Sequence, residues 1–292
     1  MPSDLNDLGR MCDHEPKVRI LFVGDIVGKP GRDIARRAIP SLVDLHEIDL
    51  VIANVENAAG GNGITRDTAE ALRDAGIAVM TTGNHVWDKK EVLNYIDLEP
   101  RLLRPANYPT GVPGRGRYVA RTADGIAVGV INVMGRIFMN PLDNPFHVVR
   151  DEIKAVRSDA DVRIVIVDFH AEATSEKVAM GWHLDGSVTA VIGTHTHVQT
   201  ADERILPKGT AYITDVGMTG PCDSIIGVDT RPALKRFLDG MPARFDTATG
   251  NPHLNAVIVT ADPTTGVASG IERVDLSADD VEVLARTVVS VP

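Results

Sequence analysis

With 292 residues, 43% of them hydrophobic and 24% charged, the chain has the make-up of a globular protein large enough for one sizeable core or two. The formal net charge is −10 and the basic residues form no block, which argues against the basic face needed to grip duplex nucleic acid tightly. No apolar run approaches the ~18 residues of a membrane span, and the opening MPSDLNDLGRMCDHEP lacks the apolar segment of a secretion signal.

Residues 1–16 are expected to form a peripheral extension, with Met11 as an alternative start, and residues 17–292 a single domain. Cys12 and Cys222 are too few for a disulfide framework or a cysteine zinc site, so a reducing, cytoplasmic setting is expected.

The first predicted strand is VRILFVG, Val18 to Gly24, a continuous apolar run suited to burial on both faces. IARRAIPSLVDLHEI follows with helical spacing and a predicted kink at Pro40. DLVIANV is the second strand, RDTAEALRDAG a helix stopped by Gly76, and IAVMTTG the third strand. This βαβαβ opening predicts a largely parallel sheet flanked by helices.

RYVART and IAVGVINV then flank Ala123-Asp124-Gly125, a hairpin turn. A helix is predicted around Asp151–Arg157, followed by strands in RIVIVDFH and SVTAVIG, then by ERILPKG and TAYITDVG. LNAVIVTADPTTGVASGIERVDL reads as a second hairpin turning at Pro263–Gly266. The expected architecture is α/β: two mixed β-sheets packed face to face with flanking helices, in four layers. A single sheet with helices on both faces is the alternative.

The functional signal lies in where polar residues fall. Five apolar strands each end in side chains able to hold a metal: Asp25; Glu56 and Asn57; Asn84 and His85; His170; and His195 with His197. The carboxyl edge of such a sheet is where ligands bind. Any one of these residues is readily explained as a turn former, a helix cap or a structural histidine. Five independent strand ends all drawn from Asp, Glu, Asn and His point instead to a metal site. His195 and His197, spaced i and i+2, would share a face if extended. As neutral rings they are good ligands.

No thiolate lies in this ligand set, and carboxylate, amide oxygen and imidazole together suit iron, manganese or zinc. Six or more ligands exceed one tetrahedral zinc and suggest two ions, bridged by a carboxylate and roughly 3.5–4 Å apart.

Other motifs fail. GDIVGKPG lacks the spacing and the Ser/Thr of a phosphate loop, since Lys29 precedes Pro30. His170-Ala171-Glu172 with Pro221-Cys222 approaches a nucleobase-deaminase pattern, but Ile225 stands where the second cysteine belongs. There is no H-E-x-x-H and no G-x-S-x-G.

Gly24-Asp25, Gly83-Asn84-His85, a lone His170 and Gly193-Thr194-His195-Thr196-His197 resemble, in order and spacing, the calcineurin-like metallophosphoesterases. More narrowly, FVGDIVGKPGRD, VENAAGG, TTGNHVWDKKE, RPANYP, DFHAEATSEK and GTHTHVQTADERILPKGTAYITDVGMTGP resemble the YmdB-like branch. That resemblance implies a phosphodiesterase acting on cyclic nucleotides of the 2′,3′ type, with a hydroxide between two iron or manganese ions attacking phosphorus in line. It implies a first metal on Asp25, Glu56 and His197, with Asn57 as a further candidate, and a second on Glu56, Asn84, His170 and His195. His85 would be the general acid.

One departure stands out: the broad superfamily carries D-x-H, and here Val27 occupies the histidine's place. The expected partner is a small phosphodiester or nucleotide, with no membrane and with a homo-oligomer open. A phosphomonoesterase, or a low-turnover protein that binds metal and nucleotide, are the rival functions. Arg136, Phe138, Thr174–Lys177 and Gly217–Pro221 are candidates to line the cleft, with surface pairing and loop shaping as their ordinary explanations.

Overall fold

The computed structural model describes residues 16–159 and 161–289, so all but the last residue of the expected extension, Met11 and Cys12 included, lies outside the described residues. β1 (Val18–Val23) opens the chain and alternates its side chains, Val18, Ile20 and Phe22 into one apolar layer and Leu21 and Val23 into another. After the two-residue β2 (Asp25–Ile26), helix α1 (Gly28–His46) begins well before the expected Ile34. Val27 is its extended N-cap, and Pro30 falls in the first turn, where a missing N–H leaves no bond unmade.

The chain continues through β3 (Leu50–Asn54), α2 (Arg66–Asp74), β4 (Val79–Thr81), the short α3 (Val92–Tyr95), β5 (Arg117–Arg121) and β6 (Ala127–Met134). It then runs through α4 (Pro145–Asp159), β7 (Ile164–His170), α5 (Thr174–Leu184), β8 (Ala190–Thr194), β9 (Arg204–Ile205) and β10 (Ala211–Ile213). β11 (Met218–Pro221), α6 (Thr230–Asp239), β12 (Pro252–Ala261), β13 (Ala268–Ser277) and α7 (Ala278–Val289) complete it.

Two mixed sheets result. One has the order β2-β11-β12-β1-β3-β4, with β13 along the other edge of β12; the other has the order β5-β6-β7-β8-β10-β9. β1, β3 and β4 run parallel in the first, and β6, β7, β8 and β10 in the second. Every residue of β6 and β7 is buried, as strands covered on both faces require.

Ile20, Phe22 and Ile52 of one sheet meet Val128, Val130, Ile166 and Ile192 of the other in a shared apolar layer. The first sheet's outer face is covered by α1, α2, α3 and α7, and the second's by α4 and α5. The arrangement is α/β/β/α, as expected. Each buried aliphatic or aromatic side chain contributes about 1.5–3 kcal/mol. Among the described residues no helix is long and apolar enough to cross a membrane.

Candidate metal centre and active site

The carboxyl ends of parallel strands from both sheets meet at one edge, and all the singled-out side chains converge there. Asp25 follows β1 and opens β2, Glu56 and Asn57 follow β3, and Asn84 and His85 follow β4. His170 ends β7, and His195 and His197 follow β8. Gly83 makes the convergence possible: a Cβ there would collide with the His170 ring.

His170 is the hub. Its Nδ1 lies 2.9 Å from the Thr194 hydroxyl, which donates onward to Asp168 Oδ1 (2.7 Å). Asp168, itself buried, also accepts from Asn54 Nδ2 (3.1 Å) and the Thr81 hydroxyl. That chain of bonds makes Thr194 the acceptor and puts a proton on His170 Nδ1. His170 Nε2 then stands 3.0 Å from each of Glu56 Oε1, Asn84 Oδ1 and His195 Nδ1.

One N–H can serve one of those three acceptors, whereas a cation serves all of them and the ring nitrogen together. Glu56, His170 and His195 by themselves already form a cluster of potential ligands within 4.8 Å. Beside it, His197 Nε2 is 3.8 Å from Asp25 Oδ1, while His197 Nδ1 donates to the Ile226 carbonyl (2.8 Å) and so leaves Nε2 its lone pair. Asp25 Oδ1, Glu56 Oε1 and Asn57 Oδ1 are buried without a hydrogen-bond partner. Orphaned buried oxygens cost about 1–3 kcal/mol each, and three on neighbouring side chains are oxygens that a cation could satisfy.

Electrostatics are strained in the same place. Burial raises the Glu56 carboxyl, but the adjoining His170 outweighs it and holds Glu56 down to about 2. Burial likewise works against a charge on His170, yet Glu56, Asp25 and Asp168 push it up to about 9. Burial and the neighbouring His170 press His195 down to about 3. Burial raises Asp25 against His197 and His170, and raises Asp168 to about 6.

The histidine pair is presented differently from the extended reading. β8 stops at Thr194, and His195 (φ 99°) and His197 (φ 66°) are left-handed, a conformation costing roughly 1–3 kcal/mol at a non-glycine residue. Asp215 pins the turn between them, with its Oδ2 accepting from Thr196 N (3.0 Å), the Thr196 hydroxyl (2.8 Å) and Lys177 Nζ (2.6 Å). Lys177, 1% exposed, also donates to the Thr194 carbonyl (2.7 Å).

His85 donates its backbone N–H to Glu56 Oε2 (2.9 Å), and its Nδ1 bonds Asp88 Oδ2 (2.8 Å), on a ring that is partly exposed.

Thr174–Lys177 is the first turn of α5, where Glu176 accepts from the amides of Arg136 (3.0 Å) and Ile137 (3.3 Å). Met218–Pro221 is a buried strand, paired to β2 and β12. Arg136 and Phe138 stay exposed on the loop after β6, where Gly135 N donates to the His170 carbonyl (2.9 Å).

Asp88, Asp215 and Glu172 are functional candidates that the strand-end pattern missed. Glu172 Oε2 lies 3.1 Å from His195 Nε2, fixing the proton there and freeing Nδ1 for a ligand's role. Only Asp88, three residues past His85, had a readable local spacing. Glu172→Ala is expected to weaken metal binding about 10- to 100-fold, as loss of a ligand's orienting carboxylate does, read by competition against a chromophoric chelator. Wild-type affinity would remove Glu172 from the site.

Solved structures similar to this one include a phosphatase of Mycoplasma pneumoniae, with a TM-score of 0.84 and 36% identity over 90% of this chain and 94% of that one. Another is a hypothetical protein of Thermus thermophilus, with a TM-score of 0.83 and 42% identity over 89% of this chain and 99% of that one. The chain is 49% identical over 262 residues, 90% of its length and 98% of the relative's, to a 2′,3′-cyclic-nucleotide 2′-phosphodiesterase of Bacillus subtilis (strain 168). The four-layer sandwich and its polar edge are those of a metallophosphoesterase-type phosphoric ester hydrolase. Residues 21–274 match the model of the YmdB-like protein family, and the chain belongs to that family.

Proposed function

We propose that this chain, with residues 17–292 acting as one domain, hydrolyses 2′,3′-cyclic nucleotides at a site holding two transition-metal ions, iron or manganese, with zinc as the alternative. The observation that carries the reading is the trio of buried oxygens without hydrogen-bond partners, on Asp25, Glu56 and Asn57, set against the convergence on His170 Nε2. The name of the B. subtilis relative supports the substrate class.

Asp25, Glu56, Asn57 and His197 would hold one ion, and Glu56, Asn84, His170 and His195 the other. Asn57 would compensate for Val27; its backbone carbonyl accepts from Gly28 N (2.9 Å), next to a Val27 side chain buried against Gly220 and Gly227, which supports the reading. Bound there, the ions would lower the pKa of a water and offset the charge of the phosphodiester, which suits a site with few basic residues.

The chain's own residues do the rest. Asp88 holds His85 Nδ1, so His85 Nε2 is the atom free to protonate the departing ribose oxygen. Water adds to phosphorus, one P–O ester bond breaks, and a nucleoside monophosphate with one freed ribose hydroxyl leaves. His85→Ala is expected to keep its metals and lose about 10²–10⁴ in kcat, measured on 2′,3′-cyclic AMP beside elemental analysis. Unchanged turnover would end the acid assignment.

The name of the M. pneumoniae neighbour favours a second reading, a phosphomonoesterase. Purified in Mn²⁺ or Fe²⁺, the protein is expected to cleave 2′,3′-cyclic AMP, and a simple diester faster than the monoester of the same leaving group. The reverse order supports the monoesterase, and stoichiometric nucleotide binding without product supports a regulatory role.

A further inference from the structure

On the facing sides of the two sheets the side chains change character one step before the metal centre. Ile52, Val79, Ile166 and Ile192 belong to the apolar layer between the sheets. Two residues further along each strand, on the same face, stand Asn54, Thr81, Asp168 and Thr194, all fully buried. Beyond them the same four strands lead into Glu56, Asn84, His170 and His195, the ligand set of the proposed second ion.

A polar layer between core and site is costly to bury unless its groups satisfy one another. One carboxylate does this here. Asp168 Oδ1 accepts from the Thr194 hydroxyl (2.7 Å), and Oδ2 accepts from Asn54 Nδ2 (3.1 Å) and the Thr81 hydroxyl. The bonds then run outward to the ligands. Asn54 Oδ1 accepts from the Glu56 amide (3.2 Å), and the Thr194 hydroxyl takes the His170 Nδ1 proton (2.9 Å).

Asn54, Thr81 and Thr194 are the last residues of β3, β4 and β8, and Asp168 lies two residues from the end of β7. Asn54 and Thr81 come from the first sheet, Asp168 and Thr194 from the second, so the carboxylate joins the two sheets where the ligands begin.

We infer that Asp168 is a positioning residue, one that ties together the four strand ends carrying the whole ligand set of the proposed second ion. The inference rests on the two-ion reading above. A carboxylate suits the task because it accepts on both oxygens. Asparagine has one acceptor oxygen and would turn its NH₂ toward one of the three donors. A brace that served the sheets alone would lower stability when cut and leave metal affinity in the folded protein intact. A positioning residue changes that affinity.

Mn²⁺ binding by the full chain, read by competition against a chromophoric chelator, tests this. The wild type is expected to bind two equivalents. Thr194→Val keeps the shape of the side chain and removes the hydroxyl between Asp168 and His170. Thr81→Val removes a donor to Asp168 from the other sheet. Each is expected to weaken one equivalent about 10- to 100-fold and to leave the other unchanged. Thr194→Ser and Thr81→Ser should restore wild-type affinity, and Asp168→Asn should show the largest loss, with urea unfolding confirming that each sample is folded.

Both equivalents at wild-type affinity in the valine variants, or serine variants as weak as the valine ones, would overturn the positioning role while the two-ion reading stands. A wild type that binds fewer than two Mn²⁺ would overturn the two-ion reading and this inference with it.

Discussion

Replacing Lys177 with methionine is expected to cost about 3–5 kcal/mol of stability, seen as a large drop in the urea midpoint. Lys177 and Asp215 are 1% and 0% exposed, and their 2.6 Å contact neutralises a carboxylate that has no water to fall back on. Methionine fills the space without the charge, so the loss reports the stranded carboxylate rather than a cavity.

The damage should reach beyond stability. Asp215 holds the turn that keeps His195 and His197 left-handed, and Lys177 anchors the Thr194 carbonyl at the turn's start. Metal binding should therefore fall in the surviving folded fraction. A stability loss under about 1 kcal/mol would show that Asp215 is satisfied by the Thr196 and Gly217 donors without its lysine.

His170→Ala is expected to remove at least one equivalent of bound metal and to lower turnover by more than about 100-fold, beyond the usual effect of losing a supporting residue. Asn84→Ala should have the same sign and perturb the fold less, because Asn84 is only partly buried while His170 is fully buried. Elemental analysis of both variants beside the wild type decides the matter. Full metal content with full activity in either one would exclude that residue from the ligand set. Thermal unfolding of the wild type should move to lower temperature when metal is stripped, because ions that bind only the folded chain stabilise it.

Much of this was legible in one dimension. VRILFVG, DLVIANV and RIVIVDFH read as buried strands because both faces are covered, which produces continuous apolar runs with no periodicity to decode. Both hairpins followed from their turns. The helices were harder. α1 hid its start behind Gly28, Pro30 and Gly31, and α7 begins at a capping box, Ser277 with Asp280, that local spacing does offer. α6 could not be found from core periodicity, because its apolar face meets no core.

The sequence by itself determined the chemistry: Asp, Glu, Asn and His at the ends of five strands, a soft-ligand set ruled out, and an architecture that gathers strand ends on one edge. Residue type and strand position are local properties, and a chain carries them openly. Tertiary structure alone decided the geometry. His170 became the hub only when a strand of the second sheet met Glu56 and Asn84 from the first. Gly83 gained its role from the ring packed on it, and Lys177, Asp215, Glu172 and Asp88 gained theirs from contacts at 3.1 Å or less. Apart from Asp88, which lies three residues from His85, these supporting groups sit many residues from the side chains they orient, so no motif spacing encodes them; folding brings them together.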